Sequence, residues 1–354
     1  MTSLSRSPEP FRIQPVFSPR IWGSRTLAPF FPEKSNLSEP IGEAWLTGVD
    51  CKIATGPFAG RTLGETWREM PAEWRGTQLA SAPDFPLLVK FIFPADELSI
   101  QVHPDDAYAA IHEKAAGGRG KTEMWHVVSA ERGARLLAGL KAGVTKERFL
   151  EALADHTLKN LFQPHEIRAG DTFFIPPGTP HTIGPKMVIC EVQEYSDLTY
   201  RVYDYGRVDA HGKPRELHIE KALDVIKFGS SHGGKVPPLA LDSSSPAVNL
   251  LCACRYFAAE RLEFSERGEF PADPAHFQLL VILAGRGNLG WPDGAARCHA
   301  GECWFLPAAL DLAALHPVQP TSVLRAYVPD LTALTKRLHD AGISASAISQ
   351  SIFA

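Results

Sequence analysis

The stretch Leu98-Ser-Ile-Gln-Val-His-Pro104 alternates apolar with polar residues. Successive side chains of a β-strand point to opposite faces, so Ser99, Gln101 and His103 share one face and the apolar side chains share the other. A row of polar side chains on one face of a strand needs a chemical reason. Two later stretches of the chain supply one.

These stretches contribute further polar residues, which neighbouring strands can place beside that polar face. Gly120-Lys-Thr-Glu-Met-Trp125 places Lys121 and Glu123 at the same alternation, and Gly170-Asp-Thr-Phe-Phe-Ile-Pro-Pro-Gly-Thr-Pro-His181 places His181 after a strand and a tight turn. Proline and glycine set such a turn, which delivers the histidine to the inner wall of a small barrel. One Gln, two His and one Glu from neighbouring strands can enclose a divalent cation, and such nitrogen and oxygen ligands suit Zn²⁺.

The composition limits the classes of protein and of partner. The 354 residues suffice for two ordinary cores or for one large duplicated β architecture. Apolar residues make up 44% and charged residues 21%, as in a globular protein. The net charge of −4 and the lack of a long Lys/Arg run indicate neither a nucleic-acid partner nor a membrane-surface partner. A small anionic ligand stays possible, and the sequence leaves the oligomeric state open.

Two features favour a cytoplasmic location. Residues 1–10 lack the apolar core of a signal peptide, and no run approaches the roughly 20 apolar residues that span a bilayer. The six cysteines include no Cys-x-x-Cys pair, so we expect reduced and mostly buried thiols rather than disulfides or zinc knuckles.

The spacing of prolines and glycines along the chain predicts many short strands. The 29 prolines and 28 glycines are spread at turn-like intervals, which favours a mostly β protein. Helical patterns are few and short, and they cover residues 62–70, 105–116, 144–161, 219–228 and 330–339. A segment rich in Ser, Gly and Pro, residues 229–247, is predicted to be a linker between an N-terminal catalytic domain (11–228, with a short helical insertion at 144–161) and a C-terminal domain (248–354).

A repeat relates the two predicted domains. The first domain has Gly170, Pro176, Gly178 and His181 in the pattern Gly-x5-Pro-x-Gly-x2-His, and the second has Gly-x5-Pro from residue 301 to residue 307. In the second copy an alanine stands where the second glycine would be, and Leu312 occupies the place of the histidine. We therefore predict a duplicated barrel whose second copy keeps the turn but has lost the ligand.

The first copy resembles the second motif of the cupin superfamily. Four stretches together resemble the type I mannose-6-phosphate isomerase family in its short bacterial form, over roughly residues 15–310: Leu98–Pro104, Gly120–Glu123, Pro176–Gly184 and Tyr195–Arg201. The resemblance implies two cupin-like (jelly-roll) β-barrels, the second degenerate, with a few short helices. It also implies one Zn²⁺ per chain, held by Gln101, His103, Glu123 and His181.

The resemblance implies an aldose–ketose isomerase acting on mannose 6-phosphate and fructose 6-phosphate through an enediol. Such a reaction needs a base, help with ring opening and positive charge near two oxygens. The matching active-site positions are Lys121, Glu191, Asp197 and Arg201. Glu191 lies in an apolar run, where desolvation raises the pKa of a carboxyl, so it is one candidate for the proton shuttle. Asp197 can instead hold Arg201 or assist ring opening, and Lys121 can contact the sugar oxygen.

Substrate binding and rival functions complete the prediction. Ser99, Lys121 and Arg201 are the candidate contacts of a small phosphosugar, because phosphate needs hydroxyl, Lys or Arg donors. Arg207, beside Asp204, is predicted to be a surface pair. Gln-x-His in place of His-x-His argues against an iron-dependent cupin dioxygenase. Another phosphosugar isomerase and a non-catalytic sugar-binding barrel remain the alternatives.

Overall fold

The computed structural model describes residues 7–209, 211–229, 233–242 and 246–353. Strands far outweigh helices in these ranges, which confirms the mostly β prediction. The strands up to residue 236 are β1 (Phe11–Ile13), β2 (Val16–Ser24), β3 (Ile41–Trp45), β4 (Leu87–Ile92), β5 (Ile100–Val102), β6 (Glu123–Ala130), β7 (Arg135–Leu140), β8 (Phe162–Glu166), β9 (Thr172–Ile175), β10 (His181–Ile183), β11 (Met187–Glu194), β12 (Tyr200–Tyr203) and β13 (Gly234–Val236).

The later strands and the helices complete the set of elements. The strands are β14 (Leu239–Asp242), β15 (Ala247–Cys254), β16 (Ala258–Phe264), β17 (Gly268–Pro271), β18 (Gln278–Ala284), β19 (Arg286–Trp291), β20 (Gly294–His299), β21 (Cys303–Leu306), β22 (Leu312–Pro317), β23 (Thr321–Tyr327) and β24 (Ile352–Phe353). The α-helices are α1 (Leu63–Glu69), α2 (Ala72–Arg75), α3 (Asp106–His112), α4 (Lys146–Ala154), α5 (Ile219–Val225), α6 (Leu331–Asp340) and α7 (Ala345–Ser349), with 3-10 turns at Pro32–Lys34, Lys114–Ala116 and Leu158–Leu161.

Four sheets form two barrels, each with its own apolar core. The first barrel consists of a sheet in the order β13-β9-β6-β11-β4-β3-β2 and a sheet in the order β12-β5-β10-β7-β8. Trp125, Leu136 and Ile183 belong to the apolar cluster that packs these two sheets together. The second barrel consists of the sheet β1-β21-β18-β23-β16-β15-β14, with β24 on β15, and the sheet β17-β22-β19-β20.

A further apolar cluster lies between the two barrels, because each large sheet buries its outer face there. One apolar cluster contains Met124 and Val192 of the first barrel together with Phe277 and Phe305 of the second. Strand β1 pairs with β21, and Phe11 stacks on Phe305 with ring centroids 4.6 Å apart. Full burial of one such side chain contributes about 1.5–3 kcal/mol. The first strand of the chain therefore belongs to the second barrel, which differs from the predicted boundary at residue 11.

The predicted linker also contains strands. Within residues 229–247, β13 pairs with β9 of the first barrel and β14 pairs with β15 of the second. The crossing between the barrels therefore lies at residues 237–238, between two short edge strands. The rest of the predicted division into domains stays a prediction.

Local signals of the sequence appear at the helix ends. Thr62 caps α1, where its side chain accepts from Glu65 N and the Glu65 carboxylate accepts from Thr62 N, so the helix predicted at 62–70 begins with a capping box. The predicted helix at 144–161 divides into α4 and a 3-10 turn. All six cysteines are free and buried, as expected. No helix in the described part of the chain is long and apolar enough to cross a membrane.

Candidate active site

Two cross-strand pairs bring distant motifs together in the smaller sheet of the first barrel. On β5, Gln101 lies opposite His181, the first residue of β10, and also opposite Arg201 of β12. The tight turn before His181 contains Gly178, whose N–H donates to His103 O at 2.9 Å. Gly178 has φ +81° and a Cβ there would lie 2.7 Å from Val225 O, so only glycine fits the turn. The turn motif and the strand motif therefore meet at one wall.

Three of the predicted ligands form a compact buried cluster. The ligand atoms of His103, Glu123 and His181 all lie within 4.8 Å of one another. Glu123 Oε1 is 3.2 Å from His181 Nε2 and 3.5 Å from His103 Nε2. Each side chain is at most 2% exposed.

The histidine tautomers leave lone pairs facing this point. Nδ1 of His103 donates to Leu198 O at 2.8 Å, and Nδ1 of His181 donates to Thr179 O at 2.9 Å. A neutral imidazole that donates from Nδ1 carries a lone pair on Nε2. Both lone pairs therefore face Glu123 Oε1, and neither His103 Nε2 nor Glu123 Oε1 has a hydrogen-bond partner among the described residues. Such an arrangement fits a cation and is unfavourable without one.

The pKa shifts in this cluster also indicate a site for a cation. Burial lowers the pKa of His181 to about 3 and lowers that of His103 as well, so both imidazoles are neutral ligands. Burial opposes ionisation of Glu123, but the positive charge of Lys121 outweighs it and holds the pKa of this carboxyl well below its usual range. Two neutral imidazoles and one carboxylate are the donor set that a divalent cation requires.

Gln101 borders the cluster from the neighbouring strand. Its Nε2 lies 3.3 Å from His181 Nε2, and Ser99 Oγ lies 3.5 Å from Gln101 Oε1. Rotation of the amide by 180° about its last bond presents Oε1 to the cluster, where it can serve as a fourth ligand.

A cavity of about 420 Å³ opens beside the cluster. Six of the predicted site residues line it: Ser99, Gln101, Lys121, Glu191, Asp197 and Arg201. Lys121 Nζ lies 2.8 Å from Glu123 Oε2 and links the cavity to the cluster.

Glu191 is the carboxyl of this cavity with the most perturbed pKa. Its Oε1 accepts from Trp125 Nε1 at 3.1 Å, and Oε2 lies 3.2 Å from Lys90 Nζ. Burial raises the pKa of Glu191 to about 7, although Lys90 and Lys121 lower it. A carboxyl with such a pKa can accept and return a proton near neutral pH.

The remaining predicted residues lie at the mouth of the cavity. Asp197 Oδ1 lies 3.3 Å from Lys90 Nζ, so its partner is Lys90 rather than Arg201. Arg201 donates to Glu216 O at 2.9 Å. Arg207 lies 2.6 Å from Asp204, but their side chains are only 16% and 6% exposed, so this pair is largely buried and is not the surface pair that the sequence predicted.

Four charged lining residues were not predicted as site residues from the sequence: Arg20, Glu43, Lys90 and Arg215. Lys90 is 2% exposed in β4, where the carboxylates Glu191 and Glu43 overcome the cost of burial and raise its pKa. A lysine inside the apolar run Leu87–Ile92 was the available signal. Arg20 and Glu43 lie in Arg20–Gly23 and Ile41–Trp45, two segments that also resemble the family's N-terminal motifs, so the resemblance offered a signal for them. Arg215 lies in a segment without any motif, and the sequence offered no comparable signal for it.

Comparison with known proteins was made on sequence and on structure. Residues 10–124 match the family model of the catalytic domain of type I phosphomannose isomerase. The chain is similar to the mannose-6-phosphate isomerase ManA of Bacillus subtilis, with 33% identity over 85% of this chain and 94% of that protein. It is also similar to the mannose-6-phosphate isomerase of Streptococcus mutans, with 35% identity over 79% of this chain and 87% of that protein. The crystal structure of a mannose 6-phosphate isomerase from Bacillus subtilis superimposes with a TM-score of 0.82 at 28% identity, over 90% of this chain and 99% of that one.

Proposed function

This chain belongs to the type I mannose-6-phosphate isomerase family, and from that premise we propose that it interconverts mannose 6-phosphate and fructose 6-phosphate. One observation carries the proposal: a buried His–Glu–His cluster adjoins a cavity that holds a carboxyl with a pKa of about 7 among several cations. The isomerisation moves a proton between C1 and C2 of the open-chain sugar, so it needs one base and stabilisation of charge on two oxygens.

We assign one Zn²⁺ per chain to the cluster, with His103, Glu123, His181 and the amide oxygen of Gln101 as its ligands. When bound, the cation polarises substrate oxygens as a Lewis acid. The buried Nε2 of His103 and Oε1 of Glu123 support this assignment, because neither atom has a hydrogen-bond partner in the described chain. A neutral amide ligand adds no negative charge and so keeps the Lewis acidity of the ion high.

Glu191 is the proposed base. Trp125 holds one carboxylate oxygen at 3.1 Å and Lys90 lies 3.2 Å from the other, so the carboxylate keeps its orientation while substrate binds. It takes the proton from one carbon of the open-chain sugar and returns it to the neighbouring carbon. The burial that raises the pKa of Glu191 makes it a stronger base than an exposed carboxylate.

Two lysines stabilise the negative charge that develops on the enediol oxygens. Both are buried in contact with carboxylates, and these carboxylates raise the pKa of each against the effect of burial. Lys121 and Lys90 therefore remain protonated, and Lys121 contacts the sugar oxygen nearest the cluster. Asp197, at the cavity wall beside Lys90, is placed to assist ring opening.

The phosphate occupies the cationic mouth of the cavity. Ser99 and Arg201 are the contacts predicted from the sequence, and Arg20 and Arg215 line the same cavity. Burial and the charge of Arg215 both lower the pKa of the Arg201 guanidinium. A group of arginines that repel one another in this way is stabilised by a dianion, which supports a phosphosugar substrate over a neutral sugar.

A metal analysis and a two-substrate assay test this function. We expect about one zinc per chain, conversion of mannose 6-phosphate to fructose 6-phosphate, loss of activity with chelator and recovery on addition of zinc. Glucose 6-phosphate is the comparison substrate in the same assay. Conversion of glucose 6-phosphate without conversion of mannose 6-phosphate would assign the chain to another phosphosugar isomerisation, and binding of either sugar without turnover would make it a non-catalytic barrel.

A further inference from the structure

A short irregular loop carries two of the residues of the site. Residues 119–122, here called the ligand-bearing loop, form no helix or strand, yet they hold Lys121 and lead directly into Glu123 at the start of β6. A ligand of a metal requires a backbone of fixed position. The contacts of this loop therefore decide the geometry of the site.

Every backbone N–H from Gly120 to Thr122 donates to a specific acceptor. Gly120 N donates to Asp106 Oδ1 at 2.9 Å, Lys121 N donates to Pro104 O at 3.0 Å, and Thr122 N donates to Glu194 Oε1 at 2.6 Å. A Cβ on Gly120 would lie 2.6 Å from Asp106 N, so the loop also packs directly against the start of α3. Two carboxyls, of Asp106 and Glu194, thus hold the backbone of the loop.

These two carboxyls also act on each other. Glu194 is 4% exposed, and its burial, together with the charge of Asp106, raises its pKa to about 8. Asp106 stays ionised, since contacts from Tyr256, Gly120 and Arg255 lower its pKa against the effect of burial. At neutral pH a protonated Glu194 can accept from Thr122 with one oxygen and donate towards Asp106 with the other.

The second barrel reaches this pair through one turn. Arg255 and Tyr256 lie between β15 and β16, where the Tyr256 hydroxyl donates to Asp106 Oδ2 and an Arg255 nitrogen lies 3.0 Å from the same oxygen. These side chains come from a barrel none of whose described residues lines the cavity. The contact extends from that barrel through Asp106 to the loop.

We propose that Glu194 and Asp106 are positioning residues through which the second barrel fixes the ligand-bearing loop, and hence Lys121 and Glu123. Arg255 and Tyr256 hold Asp106, and Asp106 and Glu194 hold the loop backbone. The inference rests on the proposed function for the identity of the reaction, but its effect on the cluster is measurable without substrate.

The pair Glu194→Ala and Glu194→Gln tests the link to the loop. Zinc affinity is measured on the metal-free full chain by competition with a chromogenic chelator. The values of kcat and KM are measured with mannose 6-phosphate as the substrate. We expect Glu194→Ala to weaken zinc affinity and lower kcat about 10-fold or more, since loss of a group that orients a ligand has effects of this size. Glutamine keeps both hydrogen bonds and should restore both quantities to within about threefold, with KM changed less than kcat in either variant.

Two outcomes would overturn the role of Glu194. One is zinc affinity and kcat of Glu194→Ala within about twofold of the parent, and the other is an equal loss in Glu194→Gln. If the parent chain binds zinc but does not convert mannose 6-phosphate, while Glu194→Ala still weakens zinc binding, the proposed function fails and this inference stands.

The double variant Arg255→Met, Tyr256→Phe tests the contribution of the second barrel to the position of the loop. Both of the side chains that it changes are partly exposed. We expect a threefold to tenfold loss of zinc affinity, smaller than that of Glu194→Ala because Asp106 keeps its contact with Gly120. Arg267→Met is the matched control, since Arg267 forms an exposed pair with Glu269 elsewhere on the same barrel. Equal zinc affinities of the double variant and the control would overturn the coupling.

Discussion

Glu123 of the first barrel and Glu260 of the second are both fully buried glutamates, and their partners differ completely. Glu260 accepts from Tyr327 Oη at 2.9 Å with one oxygen and from Arg325 Nε at 2.9 Å with the other. Glu123 Oε1 instead faces two imidazole lone pairs and accepts no hydrogen bond within the described chain. A buried carboxylate with every oxygen satisfied serves stability, whereas one with an unsatisfied oxygen indicates a ligand site.

The interiors of the two barrels show the same contrast on a larger scale. Strand β21, the turn after it and β22 correspond to β9, its turn and β10, and both units follow a glycine of positive φ, Gly301 and Gly170. Leu312 begins β22 at the place where His181 begins β10. The second barrel is filled with apolar side chains such as Phe264, Phe270 and Trp304. The second barrel thus has an apolar cluster at its centre, and an apolar interior needs no cation.

Removal of one ligand should have the largest effect. In His181→Ala the cluster loses a neutral nitrogen donor, and we expect loss of bound zinc with a decrease in kcat of about 10³-fold, since Lewis-acid stabilisation is worth several kcal/mol. Metal analysis and an isomerase assay on the same preparation measure both quantities. Leu312→Ala, at the corresponding position of the second barrel, is the matched control and should keep zinc and turnover.

Retention of a full equivalent of zinc in His181→Ala would remove this residue from the ligand set. A loss of zinc in Leu312→Ala would contradict the contrast between the barrels from the other side.

Glu260→Gln should destabilise the fold and leave the chemistry intact. The substitution leaves the Arg325 guanidinium, 16% exposed, without its main counter-charge, and we expect a loss of about 3 kcal/mol in the free energy of unfolding. Urea denaturation measures it, and zinc content and kcat at low temperature should match the parent. A decrease in kcat with unchanged stability would show that this glutamate is not structural.

The pH dependence of this difference has a defined sign. Burial opposes ionisation of Glu260, but Arg325 outweighs it, so the pKa of this carboxyl is lowered. Its stabilisation is therefore complete above the unfolded-state pKa and is lost as the pH falls through the folded-state value. The gap in unfolding free energy between parent and Glu260→Gln should be constant near neutral pH and shrink below about pH 4. A gap that widens on acidification would contradict the lowered pKa.

The sequence predicted the fold wherever the signal was local. The spacing from Gly170 to His181 predicted a strand ended by a tight turn that delivers the histidine, and the structure has β9, the turn at Gly178 and then His181 at the start of β10. The sequence contained no such local signal for the pairing of β1 with a strand of the second barrel. Pairing of Phe11 with Phe305 depends on contact between residues almost a whole chain apart, and no periodicity in a single segment encodes it.

The same distinction applies to the candidate site. The alternation of apolar and polar residues in Leu98–Pro104 predicted that Ser99 and Gln101 share one face, and both line the cavity. Lys90 was missed because β4 reads as an ordinary buried strand, and only its contacts with Glu191 and Asp197 reveal why a lysine lies there. The roles of these side chains stay predictions that the variants here address.

Glu191→Gln should separate catalysis from metal binding. Glutamine keeps the contact with Trp125 but cannot accept a proton, so we expect zinc content equal to that of the parent and turnover about 10²-fold slower. Glu263→Gln, an exposed position of the second barrel, is the control and should leave kcat unchanged. Turnover of Glu191→Gln close to that of the parent would assign the base to another group.

Leu312→His should have the smallest effect, and it asks what a metal site needs beyond one histidine. The new imidazole begins β22 as His181 begins β10, but the barrel it enters is lined by apolar side chains such as Leu262 and Ile282, and the carboxylate that touches this cluster, Glu302, already accepts from Trp304 Nε1 at 3.1 Å. A single donor does not hold Zn²⁺, which takes four ligands. We therefore expect an unchanged zinc content and a stability change of about 1 kcal/mol or less from the half-buried leucine. A second equivalent of zinc in this variant would mean that the second barrel still keeps its other ligands, and the contrast between a filled and a ligand-bearing interior would then be wrong.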